Sequence, residues 1–135
     1  MKKPKNKNTK AYQQWELRSL KKKAFKLWST IVKNRAGNTC ELCGFKGKGL
    51  QSHHIEDYRL CSALRYSPEN GICVDPGCHK FRQKSCHHSF IILYDFLTKN
   101  RANDIDYLRA HCNDDVGEYT KEKMVSIISK LEIEM

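Results

Sequence analysis

The chain has 135 residues, 30% of them charged, with a net charge of +10 and seven cysteines. That length suits about one domain with a modest core and excludes two independent ones. The segment Met1 to Lys10 is rich in Lys and Asn with no apolar stretch, and no run of about 18 apolar residues occurs, so neither a signal peptide nor a membrane span is expected. A cytoplasmic location follows as the expectation, and there cysteines serve metal ligation before disulfides.

The positive charge is uneven. Residues 1–48 carry 14 Lys/Arg against 2 Asp/Glu, residues 49–97 carry 5 against 5, and residues 98–135 carry 6 against 8. A basic first third suits a polyanionic partner, nucleic acid first and an acidic membrane surface second, although a solvated basic tail has the same composition.

In chain order, residues 1–12 read as a disordered basic arm, because Lys2, Lys3, Lys5, Lys7 and Lys10 repel one another and offer nothing to bury. From Gln13 to Ala36, Leu17, Leu20, Ala24, Leu27, Trp28, Ile31 and Val32 follow the three-to-four spacing of one helical face. Lys21, Lys22, Lys23, Lys26, Lys33 and Arg35 occupy the rest of the circumference, and Gly37 marks the stop. Trp15 and Trp28 are read as packing residues before nucleic-acid stacking ones. Leu50 to Ile55 reads as a short strand, Glu56 to Glu69 as an irregular connection and Gly71 to Val74 as a second short strand. Asp75 and Pro76 suit the N-cap and first position of a helix. Phe90 to Leu97, Asp104 to His111 and Thr120 to Leu131 read as further helices, the last with Val125, Ile127, Ile128 and Leu131 buried. The fold class expected is α+β, and residues 98–135 form a C-terminal helical extension.

Cys40-Glu41-Leu42-Cys43-Gly44 has the form of a zinc knuckle, two thiolates presented by a tight turn. A redox pair shares this spacing, but no βαβ pattern precedes it. Structural zinc takes four ligands, commonly from two such turns. The second turn offers Cys78 with either Asp75, which keeps the two-residue spacing, or Cys73, which keeps the sulfur. Cys61, Cys86 and Cys112 have no partner at metal spacing and read as small apolar residues. Five of the six histidines lie between residues 53 and 88. Imidazole is both a base near neutral pH and a common metal ligand, so the adjacent His53 and His54 suit a base and a ligand. On a strand they point to opposite faces, which favours separate roles.

Taken together, Cys40-x-x-Cys43, His53-His54-Ile55, Pro68-Glu69-Asn70-Gly71-Ile72-Cys73, Cys78-His79-Lys80-Phe81 and Ser85-Cys86-His87 resemble the HNH endonucleases with a zinc ribbon, particularly small bacteriophage and mobile-element members. The resemblance covers about residues 24–97. It implies a nuclease domain over 13–97 with a small ββα-metal (His-Me finger) core, zinc knuckles and a preceding long amphipathic helix. It further implies a phage- or mobile-element-encoded enzyme that hydrolyses DNA in a bacterial host cell and leaves a 5′-phosphate. His54 is then the general base, Asn70 holds His54 or its loop, and His53, His79 and His87 bind one catalytic divalent metal, Mg2+, Mn2+ or Ni2+. Many relatives place the last ligand at the position of Gln83; the Ser-x-His step favours His87, with His88 as its rival. One unbroken helix would set His79 and His87 about 12 Å apart along its axis, so a break between them is required. Structural Zn2+ would be held by Cys40, Cys43, Asp75 and Cys78, with aspartate where relatives most often carry cysteine. Lys80, Arg82 and Lys84, flanking the site, and Lys21, Lys22 and Lys23 on the first helix would meet DNA phosphates, unless they form solvated faces. The rival readings are a zinc-containing nucleic-acid-binding module without catalysis and a redox or structural CxxC protein.

Overall fold

A computed structural model describes residues 1–81 and 85–135, and for Phe81 the backbone only. The expected contacts of Arg82, Lys84 and Gln83 therefore lie outside the described residues. The chain is mixed α+β: helix α1 (Lys10–Arg35), strand β1 (Gln51–His54), strand β2 (Gly71–Val74), then helices α2 (Phe90–Asn100), α3 (Ala102–His111) and α4 (Lys121–Glu134). Two short 3-10 turns, Ser62–Leu64 and Pro68–Asn70, punctuate the β1–β2 connection, and a five-residue π-type segment, Gly77–Phe81, follows β2. Among the described residues no helix is long and apolar enough to cross a membrane.

Helix α1 starts at Lys10 and so takes in the last three residues of the segment expected to be an arm, because the Thr9 side chain caps it by accepting from the Tyr12 amide. It ends as its sequence suggests. Gly37 takes a left-handed φ of 61°, and the Gly37 and Asn38 amides turn back to the Asn34 and Lys33 carbonyls. The buried face of α4 is corrected in one residue: Met124, Ile128 and Leu131 are buried, Ile127 is partly so, and Val125 is exposed.

The two strands pair antiparallel, with Gln51 opposite Val74, Ser52 opposite Cys73, His53 opposite Ile72 and His54 opposite Gly71. Side chains of opposed residues leave the same face of a sheet. Strand β2 is buried along its whole length and separates two cores. Cys73 joins Trp28, Val32 and Met124 in the core between α1 and α4, whereas Ile72 and Val74 join Leu93 and Leu97 of α2. His54 therefore faces α1, and His53 faces the side on which the π-type segment lies. Gly71 permits this approach. A Cβ there would stand 2.2 Å from Val32 Cγ2 and 3.0 Å from Trp28 Cζ2.

Cys61 and Cys112 depart from their expected role as unpaired apolar residues. They form a disulfide, with their Cα atoms 4.9 Å apart, where α3 packs on the Ser62–Leu64 turn. Fifty-one residues separate them in sequence, so no local spacing marked the pair. Cys86 does pack as expected, half-buried against the α2 core.

Candidate metal centres and the histidine site

The turn after α1 presents Cys40 and Cys43, tied by a Gly44 amide to Cys40 carbonyl hydrogen bond and a Cys40 amide to Phe45 carbonyl bond, each 2.8 Å. Gly44, at φ 79°, supplies the left-handed step that closes the knuckle. The turn after β2 brings Asp75 and Cys78 to the same place, so that donor atoms of Cys40, Cys43, Asp75 and Cys78 all lie within 4.8 Å of one another. This group could hold a metal such as zinc. Asp75 takes the fourth position instead of Cys73, which lies in the α1–α4 core with its amide donating to Glu41 Oε2 at 2.7 Å. Asp75 Oδ1 accepts from the Cys78 amide at 2.9 Å, the N-cap bond expected of it, and Oδ2 accepts from the Cys43 thiol at 2.7 Å. The Cys43 hydrogen bond holds the Asp75 carboxyl well below the usual carboxylate range, while the same bond raises Cys43 and burial raises Cys78. A cation among them would displace the thiol protons, which is the ordinary chemistry of a thiolate zinc site.

The second group joins His53, His79 and His87, whose ligand nitrogens also lie within 4.8 Å of one another. The ring centroids are 4.9 Å apart for His53 and His79, 4.8 Å for His53 and His87 and 4.6 Å for His79 and His87. His79 and His87 do not share one unbroken helix, since the Cys86 and His87 amides donate to the Cys78 and His79 carbonyls at 2.7 and 3.2 Å. His88 is not part of the group.

Gln51, which sequence reasoning passed over, is the orienting partner. Its Oε1 lies 2.5 Å from His79 Nδ1. If Oε1 accepts, Nδ1 carries the proton and Nε2 keeps its lone pair, 2.8 Å from His87 Nε2. A second hydrogen bond of this kind is the usual support of a metal-binding imidazole. The signal was available, since Gln51 stands two residues before His53 and so on the same strand face. Burial, then the proximity of His79 and His87, pushes His53 down to about 3; burial and His87 push His79 down to about 4. His87 is lowered chiefly by burial and then by Lys80. Three neutral imidazoles converging within ligand distance are a donor set for a divalent transition metal.

His54 sits apart from this group. Its ring stacks on Trp28 at 4.0 Å and 6°, and meets Tyr58 at 4.8 Å. Trp28 is fixed in turn, as its Nε1 donates to the Ser67 carbonyl at 2.8 Å. His54 Nε2 lies 2.9 Å from the Arg65 carbonyl oxygen. A carbonyl can only accept, so Nε2 is the protonated nitrogen and Nδ1 holds the lone pair. Burial lowers the pKa of His54, against the opposing pull of that carbonyl.

Asn70 is fully buried and makes no hydrogen bond to the His54 ring. It holds the loop instead. Its Oδ1 accepts from the Glu56 amide at 2.7 Å, and its Nδ2 donates to the carbonyls of Glu56 at 3.1 Å and Leu64 at 3.2 Å. Both ends of the connection that carries the Arg65 carbonyl are thus pinned by one side chain.

Of the basic residues, Lys80 is exposed beside the three-histidine group, and its charge acts on all three rings. Lys22 is exposed and Lys21 half-buried, while Lys23 pairs with Glu132 of α4 at 3.0 Å. Comparison with family models, with curated proteins and with solved structures gives no match.

Proposed function

We propose that the protein is a divalent-metal-dependent endonuclease of the HNH, or His-Me finger, kind that hydrolyses DNA phosphodiester bonds. The observation that carries this reading is the division across β1. His53 joins His79 and His87 within 4.8 Å, while His54, next in the chain, turns to the other face with Nε2 bonded to a carbonyl. In this reading β1, β2 and the segment from Gly77 are the ββα-metal core, the Cys40, Cys43, Asp75 and Cys78 group holds structural zinc, and residues 98–135 are a helical extension.

His53, His79 and His87 would hold one divalent cation, and their imidazoles suit Ni2+ better than Mn2+ or Mg2+. Such a cation supplies charge stabilisation to the phosphorane-like transition state and to the leaving oxygen. His54 takes the proton of the attacking water at Nδ1 as the new oxygen–phosphorus bond forms and the bond to the leaving oxygen breaks. Its lowered pKa keeps it neutral, and so able to accept, at pH 7. Asn70 acts indirectly, by holding the loop that fixes the tautomer of His54. Lys80, Lys21, Lys22 and the basic N-terminus supply affinity for phosphates that is independent of sequence and falls steeply with salt.

The test is supercoiled plasmid incubated with wild type and His54→Ala in Mg2+, Mn2+ or Ni2+. Cleavage by wild type with at least a hundredfold loss in the variant is expected, since general-base assistance is worth about 10²–10⁴-fold. Binding without cleavage by both proteins in every metal would leave the reading as a non-catalytic module instead.

A further inference from the structure

The face of α1 that meets His54 continues past it. Lys21 and Phe25 follow Trp28 backwards at helical spacing, and Lys21 lines an open groove of about 650 Å³ with Tyr58 and Arg65. Tyr58 joins the groove to the histidine: its ring lies 4.8 Å from that of His54, and the Phe25 ring, outside the groove's lining, lies 6.1 Å from the same imidazole.

Two features at this place point to a ligand. Phe25 is 46% exposed between Lys22 and Lys26, both exposed. Phosphate contacts need no such ring, whereas bases stack on one. The second feature is Arg65. Its guanidinium lies 4.6 Å over the Tyr58 ring, and no carboxylate pairs with it among the described residues. Arg59, also in the groove, is already bound to Asp57 through Nε and Nη2, at 3.0 and 2.7 Å. Glu118 is the one carboxylate lining the groove. Lys21 and Arg65 are therefore the cations placed to receive a backbone.

We propose that this groove, with Phe25 beside it, takes an unpaired DNA strand next to the scissile phosphate, with Lys21 and Arg65 on backbone phosphates and the exposed Phe25 ring stacked on a base. The substrate class is then single-stranded or locally melted DNA in place of regular duplex, whose paired bases turn their stacking faces inward. This rests on the endonuclease reading for the word scissile, but not for the binding itself.

Binding and cutting are measured separately. Fluorescence anisotropy without added divalent metal compares a labelled single-stranded oligonucleotide with the duplex of the same sequence, for wild type, Phe25→Ala, Phe25→Trp and Lys21→Gln. Wild type should bind the single strand at least about tenfold more tightly. Phe25→Ala should weaken single-strand binding about 5- to 150-fold, the loss expected for one stacked base, with little effect on duplex. Phe25→Trp, which keeps a ring, should keep the preference, and Lys21→Gln should weaken both and lower the salt dependence. Equal affinity of wild type for both DNAs overturns the proposal, as does an unchanged preference in a folded Phe25→Ala protein. Preference for the single strand with no cleavage of any substrate would sink the endonuclease reading while leaving the groove assignment in place.

Discussion

At His54 the deciding contact is a backbone carbonyl. The alternation of a strand made the opposite orientation of His53 and His54 legible, and the structure places them so. The Arg65 carbonyl that fixes the tautomer was not legible, because every residue has a carbonyl and only the path of the loop selects one. Asn70 was legible as a residue that holds either His54 or its loop, and the geometry selects the loop. Replacing Asn70 by alanine orphans the Glu56 amide and the Glu56 carbonyl and leaves the Leu64 carbonyl with the Ser67 amide alone. At about 1–3 kcal/mol for each buried group left without a partner, partly relieved by water, Asn70→Ala should lose about 2–4 kcal/mol of stability. Denaturant unfolding reads this directly, and the same variant should lose cleavage at temperatures where it remains folded.

Among the elements, the helices and strands follow their hydrophobic periods, and β2 appears with its expected limits because its four residues are buried on both faces. The helix expected after Asp75 appears as a π-type segment instead, and the Cys61–Cys112 pair was invisible. Both depend on how distant parts of the chain meet, at the Cys78 and His79 carbonyls and at the packing of α3 on the Ser62–Leu64 turn. The approach of α1 to the sheet rests on Gly71. Its φ of −128° suits any residue, so the cost of a side chain is one of space. Gly71→Ala should destabilise by about 1–3 kcal/mol, as overpacking does, with a fall in melting temperature and altered Trp28 fluorescence as the readouts. The knuckle makes a second test of the elements. Asp75→Cys should bind zinc more tightly in competition with a chelator, since thiolate is the better ligand in a closed site. Cys73→Ser should leave the zinc content unchanged, because Cys73 lies outside the group.

Across the whole molecule, charge and burial act together on the three-histidine group. His53 and His79 are pushed from an ordinary 6.5 to about 3 and about 4. Above pH 6.5 folded and unfolded chains both hold these rings neutral. Below it the unfolded chain takes up protons that the folded chain refuses, so stability falls as pH drops from about 6.5 towards about 3. Melting temperatures measured without added divalent metal should show this slope in wild type, and His53→Asn should flatten it. The basic excess of the first third of the sequence was readable from composition alone. Which lysines stay available was not, since the pairing of Lys23 with Glu132 depends on α4 packing along α1.

The division of roles across β1 is tested most directly by measuring Mn2+ or Ni2+ binding by titration calorimetry and plasmid cleavage side by side on wild type, His54→Ala and His87→Ala. His54→Ala should bind the metal as wild type does while losing at least a hundredfold in cleavage rate, the lower end of general-base assistance of about 10²–10⁴-fold. His87→Ala should lose both. Wild-type cleavage by His54→Ala, or undiminished metal binding by His87→Ala, would contradict the assignment of base and ligands.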